Sequence, residues 1–370
     1  MKLPDFPWDA LAPFKQRASE HPEGIVDLSI GTPVDATPEI MQEALRAASN
    51  APGYPTTIGT TELRDAMRGW LGKRLKISAA TDQNKIDVLP TIGSKELVGW
   101  LPTFLEAKRV IIPEVAYPTY AVGALVAGAK VIPVSLDPDT WPDWPDWPEL
   151  DSEDLVWINS PSNPTGQVSS PELLRKIISW SRTRGVTLAS DECYLDFGWD
   201  VDPQSILSVA DGDYTGLLSV HSLSKSSNAA GYRAAFIAGD PKLIGKIREL
   251  RKHLGMMLPL PIQHAMTAAL NDRDHVIGQR ERYRARREML KSALLNVGFQ
   301  VDHSEAGLYL WVTRGNDCWA DVAWMAELGI LATPGIFYGE LGAKHLRVAL
   351  TSTDAHITSA VKRLIESKAN

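Results

Sequence analysis

Between Ile86 and Ala238 the chain repeats one arrangement: a short, almost continuous apolar run, then a polar or glycine-bearing stretch, then helical spacing. The runs are Ile86–Pro90, Arg109–Pro113, Lys130–Val134, Leu155–Asn159, Val186–Ser190, Gly216–Val220 and Ala234–Ala238. A strand apolar on both faces needs cover on both, and helical crossovers supply it, so the pattern predicts an α/β fold with a mostly parallel seven-stranded sheet. Sheets of this kind hold ligands at the carboxyl ends of their strands. A chain of 370 residues exceeds one ordinary core. The expected division is an N-terminal arm with part of a small domain (1–45), a large domain (46–258) and a C-terminal small domain (259–370).

The flanks differ from this repeat. Pro38–Ser49 reads as a helix with Thr37 as N-cap and Pro38 at its first position. Thr61–Leu75 carries Leu63, Met67, Trp70 and Leu71 at helical spacing. After Pro259 and Pro261 a long helical region runs to about Leu295. A smaller α+β part follows, with strands near Tyr309–Val312 and His345–Leu350 and a final helix Asp354–Lys368. The basic stretch Arg280–Lys291 reads as the solvated face of a helix with internal charge pairs. The Trp-Pro-Asp repeat at 141–148 is expected to be an extended loop, because proline bars a regular helix there.

A net charge of −7 argues against nucleic acid as a partner, which selects a basic face. Two cysteines, Cys193 and Cys318, cannot build a disulfide framework or a four-cysteine metal site, and they suit a reducing cytoplasm. The N-terminus carries no apolar core of signal-peptide length, and no stretch has the length of a membrane span.

The ends of the apolar runs carry the chemistry. Lys225 lies in Ser222-Leu223-Ser224-Lys225-Ser226-Ser227, between two apolar strands. A lysine there is badly placed for a solvated cation and well placed as a reactive amine, since burial lowers its pKa and frees it to attack an aldehyde. Gly93-Ser94-Lys95-Glu96 opens a helix with the exposed N–H groups, hydroxyl and amine of a phosphate cradle, or else is a plain glycine turn with a serine cap. Tyr117 can stack on a planar ring or pack in the core. Asn163, in Ser160-Pro161-Ser162-Asn163-Pro164-Thr165-Gly166, offers an amide to a phenolate-type oxygen. Asp191 ends a buried strand, so it either faces a cation, such as a protonated pyridine nitrogen, or caps a helix. Ser222 and Arg233 suit anion contacts. Arg347, inside an apolar strand, demands a carboxylate from the protein or from a substrate.

Taken together and in this order, the Asn-Pro-Thr-Gly loop, the Asp-x-x-Tyr strand end, the Ser-x-Ser-Lys…Gly-x-Arg segment and the late strand arginine resemble the class I/II pyridoxal-phosphate aminotransferases of fold type I. The resemblance runs from Gly31 to Arg347. It implies that Lys225 holds the pyridoxal 5'-phosphate aldehyde and shuttles a proton during transfer, and that Asp191 pairs with the ring nitrogen. Asn163 and Tyr194 would donate to the ring oxygen, and Tyr117 would stack on the ring. Ser94, Lys95, Ser222 and Arg233 would bind the phosphate, Lys95 departing from relatives with a small hydroxyl residue there. Tyr54 would reach the phosphate of a neighbouring subunit, which implies a homodimer with shared sites. Arg347 would clamp the substrate α-carboxylate, with Gly31 admitting close backbone approach. Cys193 reads as packing.

In substrate, the segments Gly93–Glu96, Tyr117–Tyr120 and Arg251–Met257 are similar to actinobacterial N-succinyldiaminopimelate aminotransferases, which use glutamate as donor in lysine and diaminopimelate synthesis. Arg251 and Lys252 are then candidate cations for distal carboxylates, or solvated helix residues. The alternatives are an aspartate or broad-range aminotransferase, and a non-catalytic pyridoxal-phosphate-binding regulator. A nicotinamide oxidoreductase lacks its Gly-x-Gly-x-x-Gly after a strand.

Overall fold

The computed structural model describes residues 3–78, 80, 82–135 and 150–368. The Trp-Pro-Asp repeat at 141–148 lies outside the described residues.

Each apolar run forms a strand, shifted by at most two residues. After β1 (Val26–Asp27) come β2 (Asp87–Ile92), β3 (Arg109–Pro113), β4 (Lys130–Val134), β5 (Asp154–Asn159), β6 (Thr187–Asp191), β7 (Leu217–Ser222) and β8 (Ala234–Gly239). They make one seven-stranded sheet in the order β2-β8-β7-β6-β5-β3-β4, with β8 antiparallel to both neighbours and the other pairs parallel. Alternate residues of one strand feed opposite faces. In β5, Val156 and Ile158 enter one apolar cluster while Leu155 and Trp157 enter another. Both clusters are buried under helices, so the near-continuous apolar runs have cover on each side.

The remaining strands are β9 (Gln300–Val301), β10 (Tyr309–Thr313), β11 (Ile330–Leu331), β12 (Thr333–Pro334) and β13 (Leu346–Ala349). Antiparallel β12-β13-β10-β9 forms a second sheet, and β1 pairs with β11. A third apolar cluster lies here and draws Leu11, Val26 and Leu28 from the N-terminal segment to Leu310, Val348 and Leu364. The helix Leu260–Asn271 packs through Ala265, Met266 and Ala269 into a core of the large sheet.

Three local expectations need correction. The helix after Thr37 begins at Glu39 with Pro38 as an uncapped N-cap, because the Thr37 hydroxyl donates instead to the Asn228 carbonyl at 2.9 Å. The long helical region after Pro261 is two helices, Leu260–Asn271 and Asp274–Asn296. On the second, Arg286 and Arg287 are buried, not solvated: Arg286 binds Asp35 and Asp354, and Arg287 binds Asp200. Asp35, Asp354 and Asp200 come from distant segments, which the local alternation of charges could not reveal, while the expected internal pairs also form, Arg287 with Glu288 and Arg284 with Glu281.

Candidate active site

Parallel register brings the chemistry to one edge of the sheet. Asn159 and Asp191 are paired at the ends of β5 and β6, and Asp191 pairs with Val220 of β7, two residues before Ser222. The antiparallel β8 starts at this same edge, so Arg233, just before it, faces the residues that follow β2 and β7.

Lys225 sits on a single helical turn, Leu223–Ser226, directly after β7. It is half-buried, and its ammonium donates to the Gly31 carbonyl. Burial holds its pKa below the usual lysine range; Arg347 and Arg233 push the same way, while Tyr309 opposes them. A lowered pKa populates the free amine, which is the nucleophile.

Asp191 is 8% exposed and accepts the Tyr120 hydroxyl at 2.9 Å and the Cys193 N–H at 3.2 Å. Burial raises its pKa, which these bonds only partly offset. No cation among the described residues pairs with it. A buried carboxylate so placed calls for an external cation.

At the end of β2, Gly93 has φ +76° and is the N-cap of the helix Ser94–Leu105, with no side-chain cap. The φ favours glycine, and a Cβ at position 93 would displace the Arg233 guanidinium. Arg233 donates to the Ala230 carbonyl at 2.8 Å and has no carboxylate partner among the described residues. Gly93, Ser94 and Arg233 therefore form a cationic cradle at a helix N-terminus. Ser222 caps the Lys225 turn, accepting from the Ser224 N–H at 3.1 Å. The Lys95 ammonium lies 5.9 Å from the centre of the Phe6 ring, on an exposed residue, apart from the cradle.

Arg347 on β13 is 3% exposed. It donates to the Ser29 carbonyl at 2.8 Å and to Asn163 Oδ1 at 3.0 Å, its Nε has no partner, and no carboxylate of the described residues reaches it. The contact with Asn163 fixes that amide with its oxygen on the arginine, leaving its NH2 group to donate elsewhere. Tyr194 is buried, with its hydroxyl 3.2 Å from that of Tyr309. Tyr117 is half-buried, edge-on to Tyr120, with its pKa raised to about 12 chiefly by burial.

Three candidates stand apart. Tyr54 is 96% exposed and touches none of these groups within one chain. Arg251 is fully buried in an ion pair with Glu96 at 2.6 Å, so it is not a free cation, while Lys252 is exposed beside Glu249. Gly31 is required for a different neighbour than expected: a Cβ there would collide with the Tyr309 hydroxyl.

Tyr120 and Tyr309 were not singled out in the sequence. Tyr120 follows Tyr117 by one helical turn, a usable signal. Tyr309 was hidden inside an apolar strand. Cys193, read as packing, adds its N–H to Asp191.

An α/β sheet with a half-buried lysine, an unpaired buried carboxylate, a cationic cradle and an unpaired buried guanidinium defines an enzyme of amino-group chemistry. The chain belongs to the class I and II aminotransferases, whose family model matches residues 23–364. Members are pyridoxal-phosphate dependent and have the type I fold, and the unpaired Asp191 and the Gly93–Arg233 cradle fit the ring nitrogen and phosphate of that cofactor. The chain is 53% identical over 367 residues to the Mycobacterium tuberculosis protein named probable aminotransferase Rv1178, covering 98% of this chain and 85% of that one. It is 50% identical over 370 residues to the 4-dedimethylamino-4-oxo-anhydrotetracycline transaminase OxyQ of Streptomyces rimosus, covering 98% and 99%. A solved Thermus thermophilus structure, titled a probable N-succinyldiaminopimelate aminotransferase, matches with TM-score 0.86 at 26% identity, over 98% of this chain and 100% of that one.

Proposed function

We propose that this aminotransferase moves the amino group of glutamate to N-succinyl-2-amino-6-oxopimelate, as a succinyldiaminopimelate transaminase in the lysine and diaminopimelate route. The carrying observation is Arg347, a buried guanidinium with an unpartnered Nε and no protein carboxylate, in the same site as Lys225. Donor and acceptor in this reaction both present an α-carboxylate, which a planar guanidinium takes bidentately. The Thermus neighbour's title and the sequence resemblance support the acceptor.

Bound pyridoxal phosphate supplies an electron sink for the bond broken at the substrate Cα. Lys225 would hold the cofactor's aldehyde carbon and take and return the proton at Cα, a role its lowered pKa favours. Asp191 would keep the ring nitrogen protonated. Asn163 and Tyr194 would donate to the ring oxygen, Tyr117 would cover the ring, and Ser94, Ser222 and Arg233 would hold the phosphate. For Lys95 only its backbone N–H suits that role, since its ammonium lies on Phe6. Tyr54, with no contact of its own, would complete the phosphate site of a second copy in a homodimer. Both cysteines are free and no described helix is long and apolar enough to cross a membrane, in keeping with work in the cytoplasm.

A second acceptor is favoured by the match to OxyQ along nearly all of both chains: an oxo group on a polycyclic ring. Initial rates with glutamate decide between them. N-succinyl-2-amino-6-oxopimelate is expected to outrun both oxaloacetate and 4-dedimethylamino-4-oxo-anhydrotetracycline. Either of the others ranking first overturns the proposal.

A further inference from the structure

Tyr309, like Asn163, touches both halves of the site. Its ring lies 4.0 Å from the Arg347 guanidinium carbon, and its hydroxyl lies 3.2 Å from the Tyr194 hydroxyl. That hydroxyl also packs against Gly31, whose carbonyl accepts from Lys225. β10 and β13 fix this placement: Tyr309 pairs with Ala349, and Trp311 with Arg347, so the tyrosine lies diagonal to the arginine on one sheet face.

We propose that Tyr309 is a positioning residue that couples Arg347 to Tyr194, so that a carboxylate arriving at the guanidinium changes the hydrogen bond Tyr194 can offer to the cofactor ring oxygen. This rests on the reading of Arg347 as the carboxylate clamp and of Tyr194 as a ring-oxygen donor.

The direction follows from the charges around the hydroxyl. Burial opposes its ionisation, but Arg347 from β13, Lys225 from the turn after β7 and the hydrogen bond with Tyr194 together outweigh burial and hold its pKa below the usual tyrosine value. Cys193, after β6, acts weakly the other way. The other groups facing it, Tyr117, Tyr283 and Tyr338, are neutral hydroxyls with raised pKa values. Burial likewise raises Tyr194. Either hydroxyl can donate across this contact; with the Arg347 and Lys225 cations beside Tyr309, it is Tyr309 that would give its hydrogen to Tyr194 and leave Tyr194 free to donate onward. Onward donation stabilises negative charge on the ring oxygen and lowers the pH at which the lysine-bound cofactor loses its proton. A carboxylate on Arg347 cancels the cation that polarises Tyr309. The chain of donors weakens, and the cofactor keeps its proton to higher pH.

The test is a pH titration of the visible absorbance of the holoenzyme, with and without saturating succinate, which has no amino or oxo group to exchange. Tyr309→Phe keeps the ring under Arg347 and removes only the hydroxyl. The expected result is a free-enzyme midpoint raised by about half a pH unit, roughly threefold tighter proton binding, the scale of one neutral hydrogen bond. The upward shift caused by succinate should fall below its wild-type size, leaving the part that passes through Asn163, which meets Arg347 directly. In a Tyr194→Phe background, Tyr309→Phe should add nothing. A wild-type midpoint with a full succinate shift in Tyr309→Phe, or additive effects in the double variant, overturns the coupling. Arg347→Gln separates this from the clamp itself. A succinate shift that survives there refutes the clamp; one lost there but intact in Tyr309→Phe refutes only the role of Tyr309.

Discussion

Arg251 Nη1 lies 2.6 Å from Glu96 Oε1, joining residues 155 positions apart. Glu96 is the third residue of the helix whose first turn, with Gly93 and Arg233, makes the anion cradle. Arg251 belongs to the helix Pro241–His253 and also donates to the Met256 carbonyl at 3.2 Å. Two of the segments that resemble N-succinyldiaminopimelate aminotransferases are thus the two ends of one buried ion pair. The pair ties the helix of the cradle to the helix Pro241–His253.

Removing one partner strands a charge. Arg251→Leu should cost about 3 kcal/mol, since the Glu96 carboxylate keeps its burial and loses its cation. The expected outcome is a lower melting temperature and weaker cofactor retention on dialysis, with the donor KM of the reloaded enzyme unchanged. Lys252→Ala is the control: that residue is exposed and lies 3.7 Å from an exposed Glu249, so it should change stability by no more than about 0.5 kcal/mol. A raised KM with unchanged melting in Arg251→Leu would return Arg251 to the substrate site.

Tyr120 holds Asp191, the proposed partner of the ring nitrogen. Its hydroxyl donates at 2.9 Å to Asp191 Oδ2, and its ring stacks on Trp157 at 5.0 Å between centres, which fixes the donor in place. Tyr120→Phe keeps the stack and removes the bond. A hydrogen bond to a charged acceptor contributes about 1.5 kcal/mol, so pyridoxal phosphate should bind the apoprotein roughly tenfold more weakly in an absorbance titration. Unchanged affinity would show that Asp191 does not rely on Tyr120 to stay ionised.

Strand positions were legible because a strand buried on both faces leaves a dense apolar run, as at Leu155–Asn159. The residues at those run ends, such as Asp191, Asn163 and Lys225, were legible because a polar group ending a buried strand is costly and calls for a partner. Relationships across the chain were not. Nothing near Arg251 in sequence marks Glu96 as its partner, and nothing near Arg286 marks Asp35 and Asp354. Tyr309 looked like any aromatic in an apolar strand, since its hydroxyl gains meaning only once β10 lies beside β13 and Tyr194 is brought across from β6. Thr37 was a good cap by type, but a competing acceptor at Asn228 claimed its hydroxyl.

Opposite Asp191 and Ser222, the ends of β6 and β7 carry a titrating pair of their own. Glu192 follows Asp191, and His221 precedes Ser222; both are buried, with Glu192 Oε2 3.8 Å from His221 Nε2. Burial raises the Glu192 pKa to about 7 from its usual 4.5 and lowers His221 to about 3 from 6.5. For Glu192, the folded state holds a proton between pH 4.5 and 7 that the unfolded chain has released, so this group's contribution to stability is present at low pH and is lost as pH rises through that window. His221 has the opposite sign: the unfolded chain binds the extra proton between pH 3 and 6.5, so its contribution grows with pH there. The two oppose each other over the range they share and only Glu192 acts between 6.5 and 7. Glu192→Gln removes the first term, keeps the shape and can still accept from the Ile206 N–H, bonded to Glu192 Oε1 at 2.8 Å. Its stability relative to wild type should therefore improve by about 3 kcal/mol as pH rises from 4.5 to 7, and level off above. Urea midpoints of both proteins across this range check it. A difference that stays constant with pH would mean that folding does not raise the Glu192 pKa and that the pair holds no extra proton over this range.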